Sequence, residues 1–174
     1  MASIGRNNDI TAGTEIKDGA CVVIVKTEWN SNIVDELEDG AIHKLESNGI
    51  SNIISLTVPG AVEIPFAIRQ CWEKLKYKDN KPQAFIALGT VIQGDTPHFD
   101  YVCKMVSEGI LQLNLTLPVP VIFGILTVNT LEQALERIGG KNGHKGEEAA
   151  DAALKMISLG YTIDEYNKQL NFQS

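Results

Sequence analysis

The sequence predicts an α/β domain in which a four-stranded parallel sheet lies between two layers of helices. Short continuous apolar runs alternate with segments whose apolar residues recur every three to four positions. The apolar runs are continuous, which is typical of parallel strands buried on both faces. A chain of 174 residues with 44% hydrophobic content can bury one core and is too short for two full domains.

The first half of the chain predicts two strands and two helices. CVVIV at 21–25 predicts the first strand, and apolar spacing over 33–45 predicts a helix that ends near Gly49. NIISLTV at 52–58 predicts the second strand, and the apolar spacing over 64–75 predicts the second helix. Strand and helix therefore alternate from the start.

The second half continues this alternation. AFIALG at 84–89 predicts the third strand, 99–115 a helix, and VIFGILT at 121–127 the fourth strand. A short helix over 131–138 and a longer one over 147–159 follow, separated by a glycine-rich connector. The predicted order gives a three-layer α/β/α sandwich with right-handed crossovers.

The domain boundaries follow from composition. We expect a flexible N-terminal segment at 1–19, a folded domain at 20–160 and a polar, frayed C-terminal tail at 161–174. The first residues lack the apolar core of a secretory signal and the arginine-rich character of a transit peptide, so we expect a cytoplasmic protein. No window is apolar enough to predict a membrane span.

Charge and cysteine content exclude several functions. A net charge of -7 argues against nucleic acid as a partner, because phosphate backbones require a basic face. Cys21, Cys71 and Cys103 are far apart and lie in apolar or helical contexts, which predicts buried free thiols. No CxxC or HExxH pattern predicts a metal site, and no GxSxG pattern predicts a nucleophilic serine.

Ligands of parallel sheets bind at the carboxyl ends of the strands. This rule selects the segments that follow the predicted strands: EWN at 28–30, VPGAVEIP at 58–65, GTVIQGDTPH at 89–98 and FGILT at 123–127.

The third of these segments carries the strongest chemical signal. Asp95 and Thr96 directly precede a helix, whose free N–H groups and a threonine hydroxyl could hold a phosphate. The alternative is that Asp95 or Thr96 is an ordinary N-cap. His98 is the one histidine at a strand exit, where imidazole can transfer protons in both directions, although a structural role is the alternative.

Other candidates lie further along the chain. Trp29 ends the first strand and could stack on a planar heterocycle, or could be a core or rim aromatic. Arg137 and Lys145 flank the connector GGKNGHKG at 139–146 and could hold phosphate, or could be solvated surface cations.

Together these motifs are more specific than any one of them. In order, the sequence contains WN, VPGAVEIP, GTVIQGDTPHFDYV, PVIFGILT and TLEQALERIGGKNGHKGEEAA. Over about residues 20–160 it closely resembles the 6,7-dimethyl-8-ribityllumazine synthase family of riboflavin biosynthesis. The resemblance implies condensation of 5-amino-6-(D-ribitylamino)uracil with 3,4-dihydroxy-2-butanone 4-phosphate, which yields the lumazine, phosphate and water. It implies no cofactor and no metal.

The resemblance also implies roles for individual residues. His98 is the implied catalytic residue, and the phosphate-binding residues are Asp95, Thr96, Arg137 and Lys145. The residues implied to bind the pyrimidine substrate are Trp29, Asn30, Ala61, Val62, Glu63, Thr90, Val91, Ile92 and Phe123. The adjacent subunit is expected to supply Phe123 and Arg137. Asn142 and His144 depart from the residues expected in the connector.

The resemblance further implies an assembly. The basic unit of the family is a homo-oligomer, a cyclic pentamer, and some members build a sixty-subunit icosahedral shell. The connector lacks the insertion expected in pentamer-only members, which favours the shell, although the extra C-terminal residues could obstruct it. The resemblance also suggests a functional association with riboflavin synthase.

Three alternatives remain at this point. The chain could be a paralogue that has lost activity, or a flavodoxin-like module that binds flavin or lumazine without turnover. It could also be a purely structural shell protein. Release of phosphate together with a fluorescent product would separate an enzyme from all three.

Overall fold

The computed structural model of the protein describes Ile16 and residues 19–171. The predicted N-terminal segment therefore lies largely outside the described residues, as does the end of the predicted tail at 172–174.

The centre of the fold is a four-stranded parallel sheet, as predicted. Its strands are β1 (Cys21–Thr27), β2 (Asn52–Val58), β3 (Pro82–Ile92) and β4 (Val121–Val128), in the order β2-β1-β3-β4. In the register, Thr27 pairs with Val58 and Ile92 pairs with Val128, so neighbouring strands end together at one edge of the sheet. The loops that follow these strands meet at this edge.

Helices cover both faces of the sheet. They are α1 (Ser31–Glu46), α2 (Ile64–Leu75), α3 (His98–Thr116), α4 (Leu131–Leu135) and α5 (Lys145–Asn171), and a single 3₁₀ turn (Ala61–Glu63) leads into α2. None of the helices over residues 19–171 is long and apolar enough to cross a membrane.

The continuous apolar strands divide their side chains between two cores. Within β1, Val22 and Ile24 pack on the side of α1 and α5, whereas Val23 and Val25 pack on the side of α2 and α3. All four are fully buried. Because successive side chains of a strand point to opposite faces, a strand buried on both sides needs apolar residues at every position.

The glycine-rich connector forms structure that the sequence did not predict. It is a small antiparallel hairpin of β5 (Ile138–Gly140) and β6 (Gly143–His144). Gly139 and Gly143 have φ angles of 102° and 81°, in the region that favours glycine. A glycine-rich segment predicts a loop, but here the glycines supply the backbone angles that this tight hairpin needs.

The prediction of a frayed tail is wrong for residues 161–171, which continue α5 without interruption. Tyr161 packs against the α1/α5 core, and its hydroxyl donates a hydrogen bond to the side chain of Gln83. No proline and no glycine follows Gly160 within the helix. The polar composition had indicated fraying, but an anchored start and the absence of helix breakers allow the helix to continue.

Candidate active site

A cleft of about 630 Å³ opens where β1 and β3 end. Many of the residues predicted from the strand ends line it: Trp29, Asn30, Ala61, Val62, Glu63, Thr90, Val91, Ile92, Thr96 and His98. The structure therefore brings together segments that are as much as 69 positions apart, the separation from Trp29 to His98 (98 − 29).

The first wall of the cleft is built around Asn30. Asn30 adopts a left-handed backbone conformation with φ 57° and ψ 41°, which asparagine tolerates better than most residues. Its side-chain amide donates a 2.8 Å hydrogen bond to the carbonyl of Thr90, and this bond ties the end of β1 to β3. The Thr27 hydroxyl donates to the carbonyl of Trp29 at 3.2 Å. The Trp29 side chain is left at the rim, 74% exposed, with its ring available for stacking.

The base of the cleft is the end of β3. Gly89 leaves room for the side chain of Thr27 on the neighbouring strand, because an added Cβ there would lie 3.1 Å from Cγ2 of Thr27. Thr90 is buried, and its hydroxyl has no hydrogen-bond partner among the described residues. An unpaired buried hydroxyl costs free energy, and because this one is enclosed by the protein a ligand in the cleft does not contact it.

The second wall is the 3₁₀ turn after β2. Ala61, Val62 and Glu63 follow Gly60, whose carbonyl accepts a 3.3 Å hydrogen bond from the N–H of Glu63. The Glu63 carboxylate folds back over Gly60, where an added Cβ would lie 3.0 Å from Oε2. A glycine at this position leaves room for a carboxylate at the edge of the cleft, where it can accept hydrogen bonds from hydroxyl groups.

The entrance to α3 forms the third side. His98 is the first residue of α3, and it is exposed and lines the cleft. The alternative that Asp95 or Thr96 caps α3 is wrong: Pro97 is the N-cap, and no side chain of the described residues caps this helix. The first N–H groups of α3 therefore remain without a side-chain acceptor, which favours an anion. Thr96 lines the cleft, whereas Asp95 is exposed and is not among the lining residues.

One face of α3 contributes residues that the sequence reasoning missed. These are Phe99, Tyr101, Val102 and Met105, which extend the lining away from His98. Positions 98, 101, 102 and 105 share a helix face, so the spacing from His98 could have identified most of them.

Arg137 and Lys145 lie in a second cleft, of about 480 Å³, beside the end of β4. Arg137 makes a 2.8 Å ion pair with Glu148 and also donates to the carbonyl of Asn142, while Lys145 lies 3.5 Å from the same Glu148 carboxylate. Burial raises the pKa of the Glu148 carboxyl, but Arg137 and then Lys145 outweigh burial and hold that pKa below its ordinary value. Glu148 is therefore ionised at neutral pH and holds the two cations together.

Phe123 lines neither cleft. It lies in the middle of β4, pairs with Ala87 and packs half-buried against the α2/α3 core. Ala87 precedes Val91 of the first cleft by four residues, which is about 13 Å along a strand. Within one chain, Phe123, Arg137 and Lys145 are therefore not among the residues that line the first cleft.

The two unexpected residues of the connector have defined contacts. The imidazole of His144 lies directly over Gly40 of α1, where an added Cβ would be 2.1 Å from Cε1. The Asn142 amide donates a 2.7 Å hydrogen bond to Glu136. His144 thus fixes the hairpin against α1 and needs a glycine beneath it.

The three cysteines are free, with Cys21 buried and Cys71 and Cys103 partly buried. Burial raises the pKa of all three thiols. Such thiols are poor nucleophiles at neutral pH. The prediction of free thiols is confirmed. The prediction that these thiols are buried is confirmed for Cys21, whereas Cys71 and Cys103 are only partly buried.

Comparison with known proteins gives a consistent result. A profile of the family described as 6,7-dimethyl-8-ribityllumazine synthase matches residues 19–160. The chain is 46% identical over 144 residues to the 6,7-dimethyl-8-ribityllumazine synthase of Bacteroides fragilis (strain YCH46), which covers 82% of this chain and 97% of the relative. The enzyme of the same name from Porphyromonas gingivalis is 47% identical over 152 residues, or 86% of this chain and 89% of the relative. The enzyme of the same name from Parabacteroides distasonis is 42% identical over 154 residues, which are 87% of this chain and 91% of the relative.

Proposed function

The chain belongs to the 6,7-dimethyl-8-ribityllumazine synthase family, and from this premise we propose that the cleft at the ends of β1 and β3 is its active site. The chain is an enzyme of riboflavin biosynthesis that forms the lumazine ring. The proposed substrates are 5-amino-6-(D-ribitylamino)uracil and 3,4-dihydroxy-2-butanone 4-phosphate. The observation that carries the proposal is the convergence of an exposed tryptophan, a carboxylate and a histidine in this one cleft.

The pyrimidine substrate would lie against the first wall. Trp29 stacks on its ring, because the exposed indole presents a flat apolar face at the rim. Asn30 holds that wall through its bond to Thr90, and Glu63 accepts hydrogen bonds from the ribityl hydroxyls. The remaining contacts come from Ala61, Val62, Thr90, Val91 and Ile92. Phe123 of an adjacent subunit closes this site.

His98 would transfer the protons of the reaction. The substrate amine attacks the ketone, and the resulting carbinolamine loses water to give an imine. Phosphate then leaves as a proton is lost from the adjacent carbon, and the second nitrogen closes the ring with loss of water. These steps need proton transfers in both directions, and an exposed imidazole at the cleft can supply them. Much of the acceleration comes from holding two substrates together, since the amine is already nucleophilic.

The phosphate would bind at the start of α3. Thr96 supplies its hydroxyl, and Asp95, which is exposed and does not line the cleft, contributes through its backbone N–H. Arg137 and Lys145 of an adjacent subunit add positive charge. Both line the second cleft and neither lines the first, which supports a shared site. The Glu148 carboxylate pairs with both cations and so positions them side by side for phosphate binding.

The protein acts on small molecules and is homo-oligomeric, as its family implies. We propose a cyclic pentamer as the unit and an icosahedral shell built from such pentamers. Large apolar side chains exposed along α3 support a subunit interface there: Tyr101, Met105, Leu111 and Leu115. Exposed apolar rows of this kind are typical of surfaces that are covered in an assembly.

We also propose a cytoplasmic location and a functional association with riboflavin synthase. Three free thiols support a reducing compartment. The association rests on chemistry, because the lumazine product must be consumed by an enzyme that converts it to riboflavin.

The test is turnover by the purified protein with both substrates. Absorbance and fluorescence of the lumazine should rise together with released phosphate, in equal amounts. Arg137→Ala should reduce this rate by about 10²-fold or more, because the developing phosphate charge loses its cation. Lys104→Ala, an exposed cation on α3, is the matched control and should keep the full rate. Binding of flavin without phosphate release would favour the ligand-binding module instead.

A further inference from the structure

The last part of α5 carries a row of exposed apolar side chains on an otherwise polar helix. The row consists of Met156, Leu159, Ile163, Tyr166 and Leu170, and exposure ranges from 43% at Met156 to 67% at Leu170. Successive members are separated by steps of three, four, three and four residues. This average of about 3.5 residues is the repeat with which one helix packs against another in a coiled coil. We refer to these five residues as the α5 row.

The α5 row faces away from the protein's own core. The opposite side of α5 is buried through Ala150, Leu154 and Ile157, and Tyr161 packs against the same core. Residues 163–170 are all exposed. The family profile ends at residue 160, so Met156 and Leu159 lie inside the region that matches the enzyme family, whereas Ile163, Tyr166 and Leu170 lie outside it. Folding of the domain and its active site therefore does not account for these last three members of the row.

We propose that the α5 row packs against the same row of a neighbouring subunit in the homo-oligomer. Most positions that flank the row are uncharged, namely Gly160, Thr162, Asn167 and Gln169, and the one charged flanking residue, Lys155, pairs with Asp151 of its own helix. Because the uncharged positions would meet their own copies, the absence of charge there removes like-charge repulsion between identical helices. The charged residues lie on other faces of this stretch: Asp164, Glu165 and Lys168.

The α5 row is too short to hold two free proteins together, so its partner should be a subunit that the same oligomer already holds nearby. The row covers about 15 residues, or roughly 22 Å of helix, which is only about two heptads. A lasting interface between free proteins buries about 800 Å² on each partner, and five side chains fall well short of this area. Subunits already held in one oligomer present their helices to each other at effective concentrations of about millimolar. A short row that is too weak between free chains is sufficient under that condition.

The first experiment uses hydrogen exchange in the full-length oligomer. Ile163→Ser with Leu170→Ser removes two members of the row, and Asp164→Ser with Lys168→Ser is the matched control on the other faces. The amides of residues 163–170 should be protected in the unsubstituted protein and should exchange about tenfold faster or more in the first variant. The control should keep the protection. Fast exchange of these amides in the unsubstituted protein, or equal loss in both variants, would overturn the proposal.

The second experiment identifies the partner. Tyr166→Cys places a thiol in the row, and Glu165→Cys places one beside it on another face. A short bis-maleimide should join Tyr166→Cys chains into dimers on a denaturing gel, several-fold more than Glu165→Cys chains or the unsubstituted protein. Protection of the amides without such dimers would mean that the row contacts a different part of the subunit, and would contradict pairing of like helices. Turnover in all these variants should stay within about twofold of the unsubstituted protein, so a failure here is separate from a failure of the proposed active site.

Discussion

Asn30 illustrates how much a single residue contributes to the cleft. Among the described residues it is the one non-glycine residue with a positive φ, and its side chain also bridges to Thr90 on the next strand. The sequence predicted Asn30 as a site residue through the motif it belongs to. The backbone conformation could not be predicted, because it depends on where β3 ends relative to β1.

Replacement of His98 should affect kcat more than KM. His98→Ala should lower kcat by about 10²-fold at most and leave KM for both substrates within a few-fold, because proton transfer is only part of the acceleration. Steady-state kinetics of lumazine formation measure both effects. His43→Ala, an exposed histidine on α1, is the control and should behave as the unsubstituted protein.

A loss of many more orders of magnitude, with both substrates still bound, would contradict this division between proton transfer and proximity. It would mean that His98 does more than transfer protons.

At the scale of elements, the contact between α1 and α5 depends on one glycine. A Cβ at Gly146 would lie 1.9 Å from the carbonyl oxygen of Leu37, which is backbone and cannot rotate away. The two helices can therefore approach closely only because α5 has glycine in its first turn. This contact also fixes Lys145, the preceding residue.

Gly146→Ala should destabilise the protein by about 3 kcal/mol, because α1 and α5 must move apart. Gly160→Ala is the control on the same helix, where an added Cβ meets nothing within 4 Å. The control should be neutral or more stable by up to about 1 kcal/mol, since alanine favours a helix more than glycine does. Chemical denaturation followed by circular dichroism measures both changes, and equal stability of the two variants would contradict the account.

Some helices and strands could be predicted from local sequence patterns and others could not. Apolar runs predicted the four strands of the sheet, most directly β1, because a strand buried on both faces needs apolar residues at every position. The edge strand β2 leaves Ser55 and Thr57 exposed. The β5–β6 hairpin was not predicted, because a glycine-rich segment is typical of a loop. The end of α5 was not predicted, because its residues are polar. The hairpin depends on the contact of His144 with Gly40, and the end of α5 depends on the contact of Tyr161 with Gln83. These tertiary contacts cannot be predicted from a local sequence pattern.

At the scale of the whole molecule, the predicted site falls into two parts. Trp29, Glu63 and His98 line one cleft, and Arg137 and Lys145 line another beside the end of β4. The sequence supplied all of these candidates through motif order, but order along the chain does not determine which residues meet. The proposed shared site joins the first cleft of one subunit to the second cleft of its neighbour.

Mixing of subunits that carry different substitutions shows whether the active site is shared between neighbours. Oligomers of His98→Ala and of Arg137→Ala are each impaired, and random mixing of the two chains restores an intact pair wherever a normal His98 meets a normal Arg137 across an interface. In a ring of head-to-tail interfaces this occurs at about one quarter of the sites. Mixed oligomers should therefore recover about one quarter of the unsubstituted turnover, well above either parent. Mixed oligomers, verified by native mass spectrometry, that show only the average of the two parents would contradict the shared site.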